Sequence, residues 1–336
     1  MFLPREVFYE KEVEQYPLGK ELLARYREKQ IPCTIIESHN NIEQMRKKEN
    51  VEFPSMKQNL IIGVRKTHKF VPNEKVSDYL VPYTSSGCIA MCLYCYLVCN
   101  YNKCAYLRLF VNREQMLDKI LKVSRESPEE LTFEIGSNSD LVLENTITGN
   151  LEWTIEEFAR RCEGKGKLTF PTKFSMVDSL LPLKHEQKTI VRMSVNPQEI
   201  IQKVEIGTSP LKQRVEAINR LKEAGYPVGI LVAPVILVED WKRLYTELIA
   251  YLAEHLSEAV KKEAFFEIIF MTYSYVHRKI NEEAFPDKIN LYDKEKMTGS
   301  GRGKYRYQKE VKQEAEEFMR ALMEQYFPDN KIWYIV

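Results

Sequence analysis

DYLVPYTSSGCIAMCLYCYLVCNYNKC, residues 78–104, runs from a short apolar segment through a Ser-Ser-Gly turn into a loop holding five of the chain's seven cysteines. The apolar segment reads as a strand, and the same kind of run recurs downstream. LTFEIG (131–136), KLTFPT (167–172), IVRMSV (190–195), PVGILVAP (227–234) and AFFEIIF (264–270) are all nearly continuous in apolar residues. Between them lie amphipathic stretches: NREQMLDKILKVS (112–124), WTIEEFARRC (153–162), SPLKQRVEAINRLKEAG (209–225) and DWKRLYTELIAYLAEHL (240–256). Strands apolar on both faces and separated by helices predict βαβ units around a buried parallel sheet. Six such units are fewer than the eight of a closed barrel. The expected fold is α/β: an open, partial parallel β/α barrel over residues 76–275. Residues 1–75, with a helix in YPLGKELLARYREKQ and a strand in LIIGVRK, form an N-terminal α/β extension. Residues 276–336 form a charged C-terminal segment closed by the helix QKEVKQEAEEFMRALMEQYF.

Length and composition agree with a packed globular chain. Of 336 residues, 44% are hydrophobic and 29% charged, so a core can form and bulk disorder is excluded. The opening MFLPREVFYEKEVEQ meets charge too early for a signal peptide, and no stretch has the run of about 18 apolar residues a membrane span needs. The expectation is a cytoplasmic protein with no membrane partner. Net charge is +1, from 49 basic and 48 acidic residues, so charge alone names no partner.

Cytoplasmic thiols stay reduced, which turns clustered cysteines into metal ligands or catalytic groups rather than disulfides. Cys88, Cys92 and Cys95 make a C-x3-C-x2-C spacing. Three thiolates can hold three corners of an iron-sulfur cube and leave the fourth iron open for chemistry. Two alternatives share the spacing. Positions i, i+4 and i+7 fall on one helix face, where the thiols are small core residues. Adding Cys99 or Cys104 as fourth ligand makes a closed structural zinc site.

The C-x3-C-x2-C loop with an aromatic, Tyr94, before its last cysteine is similar to that of radical S-adenosylmethionine enzymes, and the partial barrel is similar to their fold. Within that group the chain resembles the spore photoproduct lyase family. YPLGKELLARY, LIIGVRKTHKF, CLYCYL, YLRLFVN, FEIGSNSD, TKFSMVDSLL, MSVN, AGYPVGILVAP and GKYRY occur in that family's order over nearly the whole chain. The resemblance implies a 4Fe-4S cluster on Cys88, Cys92 and Cys95, S-adenosylmethionine on the open iron, and a 5'-deoxyadenosyl radical. That radical starts the reversal of a methyl-bridged thymine dimer in DNA. A reducing electron donor such as a flavodoxin or ferredoxin is implied as well.

Matched position by position, the resemblance places Tyr94 and Tyr96 beside the cofactor as a hydrogen-atom relay. It puts Tyr94, Ser139, Asp140, Lys173, Ser194, Asn196 and Ala233 among the cofactor contacts, all at or near the carboxyl ends of strands. Ordinary packing and capping account for each of them singly. The chain departs from the family at Ser137, where well-known members often carry a hydrogen-donating cysteine; a serine O–H bond is too strong for that duty. Cys99 and Cys104 are the candidates to replace it. Gly299 and Ser300 stand where the family usually has Arg-Tyr, and Phe270, Met271 and Thr272 where a polar run is common. The tail MTGSGRGKYRY still offers Arg302, Lys304, Tyr305 and Arg306 as a nucleic-acid edge, or as an ordinary charged turn.

Overall fold

The computed structural model describes residues 2–100, 106–164 and 166–336, with the backbone alone at 99 and 100. Its larger sheet curls into half a barrel. From one edge the strands run Ile332–Ile335, Phe265–Phe270, Val228–Val235, Thr189–Val195, Gly166–Thr172, Leu131–Glu134, Tyr79–Leu80 and Val71–Pro72. Neighbours are parallel except at the last pair, where Val71–Pro72 returns antiparallel. The six strands read from the sequence form the contiguous centre, and Ile332–Ile335 adds an edge that the sequence reading left unassigned.

The helices cover the outer face because their apolar residues recur at i, i+3 and i+4. Leu117, Ile120 and Leu121 point inward from Arg113–Glu126, Ile155 and Phe158 from Asn150–Arg161, and Leu248 and Leu252 from Trp241–His255. Each such side chain, fully buried, stabilises the fold by about 1.5–3 kcal/mol. Strand alternation carries polar groups to the concave side. Along Thr189–Val195, Val191 and Met193 are fully buried core residues, while Arg192 and Ser194 line the barrel's interior cavity. Arg192 sits 2.9 Å from Glu267 and 2.5 Å from Glu134, so the inner charge is paired.

A second sheet, ordered Cys33–Ile36, Val7–Glu10, Leu60–Gly63, Leu107–Phe110 and Ser85–Ser86, lies beside the barrel. It draws its last two strands from beyond residue 75, so N-terminal segment and barrel are interleaved in sequence. Helix Pro17–Glu28 covers it with Leu22, Leu23 and Tyr26. No helix of the described residues is long and apolar enough to cross a membrane.

Candidate active site

The cysteine loop is built at the carboxyl end of the first barrel strand, and three neighbours set its course. Gly87 has φ 74°, in the left-handed region that costs glycine little. It bridges to Ser139, and its N–H donates to the Asn138 carbonyl at 2.8 Å, joining the loops after the first and second strands. Gly136 opens that second loop, and a Cβ there would lie 2.8 Å from Phe170 Cβ, so only glycine permits the close approach. Further on, Met91–Cys92 pairs antiparallel with Glu205–Ile206, and Leu93 N–H donates to the Val204 carbonyl at 2.9 Å. The helical reading of the three thiols is thus corrected. Cys88, Cys92 and Cys95 sit on a strand-and-turn loop, and the short helix Leu97–Asn100 begins only after them.

All three cysteines face one cavity of about 630 Å³ that also reaches Tyr94, Tyr96, Ser137, Ser139, Asp140, Lys173, Ser194 and Ala233. Burial pushes the Cys88 thiol up to about 12 and the Cys92 thiol well above its ordinary range, so both are neutral without a metal. Among the described residues, no group of three His, Cys, Asp or Glu side chains closes on a single metal ion. One zinc ion, at about 2.3 Å from each sulfur, needs thiolates about 4 Å apart, whereas a cube takes one thiolate per iron and spreads them. Three soft donors around a roomy cavity fit the cube. Cys104 and the side chain of Cys99 lie outside the described residues.

The remaining residues divide by what their polar atoms already do. Ser139 Oγ is buried at the cavity wall with no hydrogen-bond partner, the arrangement expected of an atom that meets a ligand. Asp140 instead caps helix Leu141–Thr148: it accepts from Leu143 N–H at 3.3 Å, Thr172 Oγ1 at 2.8 Å and Lys173 N–H at 2.9 Å. Lys173 Nζ donates to Ser194 Oγ at 2.5 Å and to the Ala233 carbonyl at 2.7 Å and pairs with Glu205 at 3.2 Å, tying three strand ends together. Asn196, expected among the cofactor contacts, is wholly buried behind the wall. It donates to Glu205 at 3.0 Å and to the Pro234 carbonyl at 3.1 Å, and accepts from Tyr245 OH at 3.0 Å.

Glu205 is the node that sequence reading missed. It accepts from Tyr94 OH, from Asn196 and from Arg214 Nη2 at 2.6 Å, besides its pairing with Lys173. Burial alone would raise its carboxyl; Lys173 and Arg214 outweigh that and hold it at about 2. The only signal in VEIGTSPLKQR was a glutamate amid apolar neighbours nine residues before an arginine. Tyr96 is 54% exposed at the mouth, with its hydroxyl donating to the Ser137 carbonyl.

Residues 297–307 form a hairpin, Met297–Gly299 against Lys304–Tyr307, completed by Thr272–Ser274. Thr272 lines the cavity mouth and pairs with Arg306, which fixes the hairpin there. Arg302, Lys304 and Arg306 are exposed, while Tyr305 is half-buried against Tyr292, ring centroids 4.5 Å apart.

The spore photoproduct lyase family profile matches residues 2–336. The spore photoproduct lyase of Bacillus subtilis (strain 168) is 35% identical over 339 residues, covering 99% of this chain and 98% of the relative. A solved spore photoproduct lyase complexed with dinucleoside spore photoproduct superposes with a TM-score of 0.91 at 32% identity, covering 100% of this chain and 99% of the other. A substituted spore photoproduct lyase with bound AdoMet and dinucleoside spore photoproduct gives the same TM-score, identity and coverage. Likeness over the full length reaches every segment that builds the cavity, and the chain belongs to the spore photoproduct lyase family of radical S-adenosylmethionine enzymes.

Proposed function

We propose that this chain reverses the methyl-bridged thymine dimer of DNA to two thymines, with a 4Fe-4S cluster on Cys88, Cys92 and Cys95 and S-adenosylmethionine beside it. When bound, that pair supplies one chemistry, a 5'-deoxyadenosyl radical that takes hydrogen from carbon 6 of the lesion. The observation that carries the reading is the convergence of three thiols and an unpartnered serine hydroxyl on one cavity at the carboxyl ends of parallel strands.

The chain's own residues bind, orient and exclude. Ser139 Oγ is free to meet a polar group of the methionine end. Lys173 and Asp140 are committed to neighbouring strands and helix, so they shape the wall, and Asn196 with Glu205 positions Lys173 and Tyr94 from behind. The Tyr94 ring, 5.7 Å from Lys173 Nζ, closes one side. Tyr96 stands between solvent and Ser137, well placed to screen a radical from water. Ser137 has no thiol to give, so the returning hydrogen is assigned to Cys99 or Cys104 with the tyrosines as relay. A flavodoxin- or ferredoxin-type donor supplies the electron.

The test is anaerobic: reconstitute with iron and sulfide, reduce, add S-adenosylmethionine and dinucleoside lesion, and separate the products. Repaired dinucleoside with 5'-deoxyadenosine is expected. Deoxyadenosine without repair would overturn the substrate and keep the radical chemistry.

The hairpin is read as the nucleic-acid edge, because it carries exposed cations and its Arg306 pairs with Thr272, which lines the cavity. A phosphate neutralised by a cation contributes about −0.9 to the slope of log K against log salt. Lys304→Gln with Arg306→Gln is therefore expected to reduce that slope by about 2, measured by fluorescence anisotropy on a duplex at several KCl concentrations. An unchanged slope would return the hairpin to an ordinary surface turn.

A further inference from the structure

The cysteine loop is held by more than the barrel. Lys57 Nζ, on a side chain 3% exposed, donates to the Cys88 carbonyl at 2.5 Å. Asn281 Nδ2 donates to the Leu93 carbonyl at 2.7 Å, and the buried His277 ring lies against the Cys95 backbone. Three backbone groups of the loop, two of them on cluster cysteines, therefore meet side chains from outside the barrel. Lys57 comes from the N-terminal segment. His277 and Asn281 lie one turn apart on helix Tyr275–Ala284.

Two features say these contacts are more than filling. His277 Nδ1 and Asn281 Oδ1 are buried without a hydrogen-bond partner, a cost of about 1–3 kcal/mol each that the fold carries while the other end of each side chain reaches the loop. The helix also starts where the hairpin ends: Ser274 pairs with Lys304, caps the helix through His277 N–H at 3.0 Å, and Tyr275 N–H donates to the Gly303 carbonyl at 2.8 Å. One rigid element thus supports both the hairpin at the cavity mouth and the loop at its floor.

We propose that Lys57, His277 and Asn281 are positioning residues for the iron-sulfur cluster, fixing the loop carbonyls around it and, at Lys57, placing a cation beside it. The inference rests on the cluster reading above. Groups that orient metal ligands typically change metal affinity or activity 10–100-fold when removed, and nearby charge and hydrogen bonds set cluster potentials. A cation favours the reduced, more negative cluster, so its removal makes reduction harder.

The test uses the full chain, reconstituted anaerobically, as parent, Asn281→Leu, Lys57→Met and Lys57→Arg. Read out iron and sulfide content, cluster lifetime against an iron chelator, the EPR spectrum and midpoint potential of the reduced cluster, and the melting temperature of cluster-free protein. Expected are a 10–100-fold shorter lifetime in Asn281→Leu, a more negative midpoint in Lys57→Met restored by Lys57→Arg, and cluster-free melting close to the parent's. Parent-like lifetime, spectrum and potential would overturn the proposal, as would losses that only follow a lowered melting temperature. If Asn281→Leu does not fold, the two Lys57 variants decide. A parent that takes up no iron overturns the cluster reading, and this inference with it.

Discussion

Cys92→Ala is expected to abolish 5'-deoxyadenosine formation while leaving the fold in place. The backbone at Cys92 is held independently of its sulfur, by pairing with Glu205 and by the adjoining bond from Leu93 N–H to the Val204 carbonyl. Removing one buried sulfur costs about 1 kcal/mol, small beside the core. A cube deprived of one of its three protein thiolates has no substitute among the described residues, because no other cysteine lines the cavity there. The expected outcome is deoxyadenosine at the level of a protein-free control, more than about 10³-fold below the parent, since a variant without the cluster forms no radical. Product chromatography measures it, with circular dichroism melting as the folding control. Deoxyadenosine production within tenfold of the parent would remove Cys92 from the ligand set.

The contrast between Cys92 and Glu205 shows how far the sequence could be read. The cysteines announce themselves because their chemistry needs a spacing within eight residues, and the strands because their apolar runs are local. Ser139 and Lys173 were named because the family resemblance matches them position by position, and both follow strand ends of a parallel sheet, where ligands sit. Glu205 was not, because its role comes from partners brought by folding: Tyr94 is 111 residues away and Arg214 nine. Asn281 reaches a carbonyl 188 residues earlier, and nothing in VHRKINEEA marks that. Leu60–Gly63 likewise pairs with Leu107–Phe110, a parallel register that no local pattern encodes. The last strand is a different kind of miss. Pro-Asp-Asn at 328–330, then Lys331 and Ile-Trp-Tyr-Ile at 332–335, is a turn signal before a β-rich run, legible in principle. Asn196 lies one residue past the strand Thr189–Val195, and alternation alone would put it on the face of Ser194; what holds it behind the wall is its amide, taken up by Glu205, the Pro234 carbonyl and Tyr245.

Glu205→Gln is expected to destabilise the cluster-free protein by about 3–5 kcal/mol, a larger effect than its conservative shape implies. The amide keeps the volume but leaves Lys173 and Arg214 facing each other across a buried site without their counter-charge, and breaking a buried ion pair from one side costs that much. The carboxyl's own titration gives a similar figure. Held at about 2 against an ordinary 4.5, it contributes roughly 3 kcal/mol, at about 1.36 kcal/mol per unit. The sign follows from a depressed carboxylate: this stability is fully present above pH 4.5 and is lost as pH falls toward 2. At about 2.1 cal/mol/K per residue, the variant's melting temperature falls by about 4–7 °C at neutral pH. Between pH 4.5 and 2 the gap between parent and variant should narrow, because protonation removes from the parent the charge that the variant already lacks. Thermal melts across that range check both parts. A variant as stable as the parent at neutral pH would show that Lys173 and Arg214 find other partners, and would shift the positioning of Tyr94 from Glu205 to the backbone pairing that Cys92 already supplies.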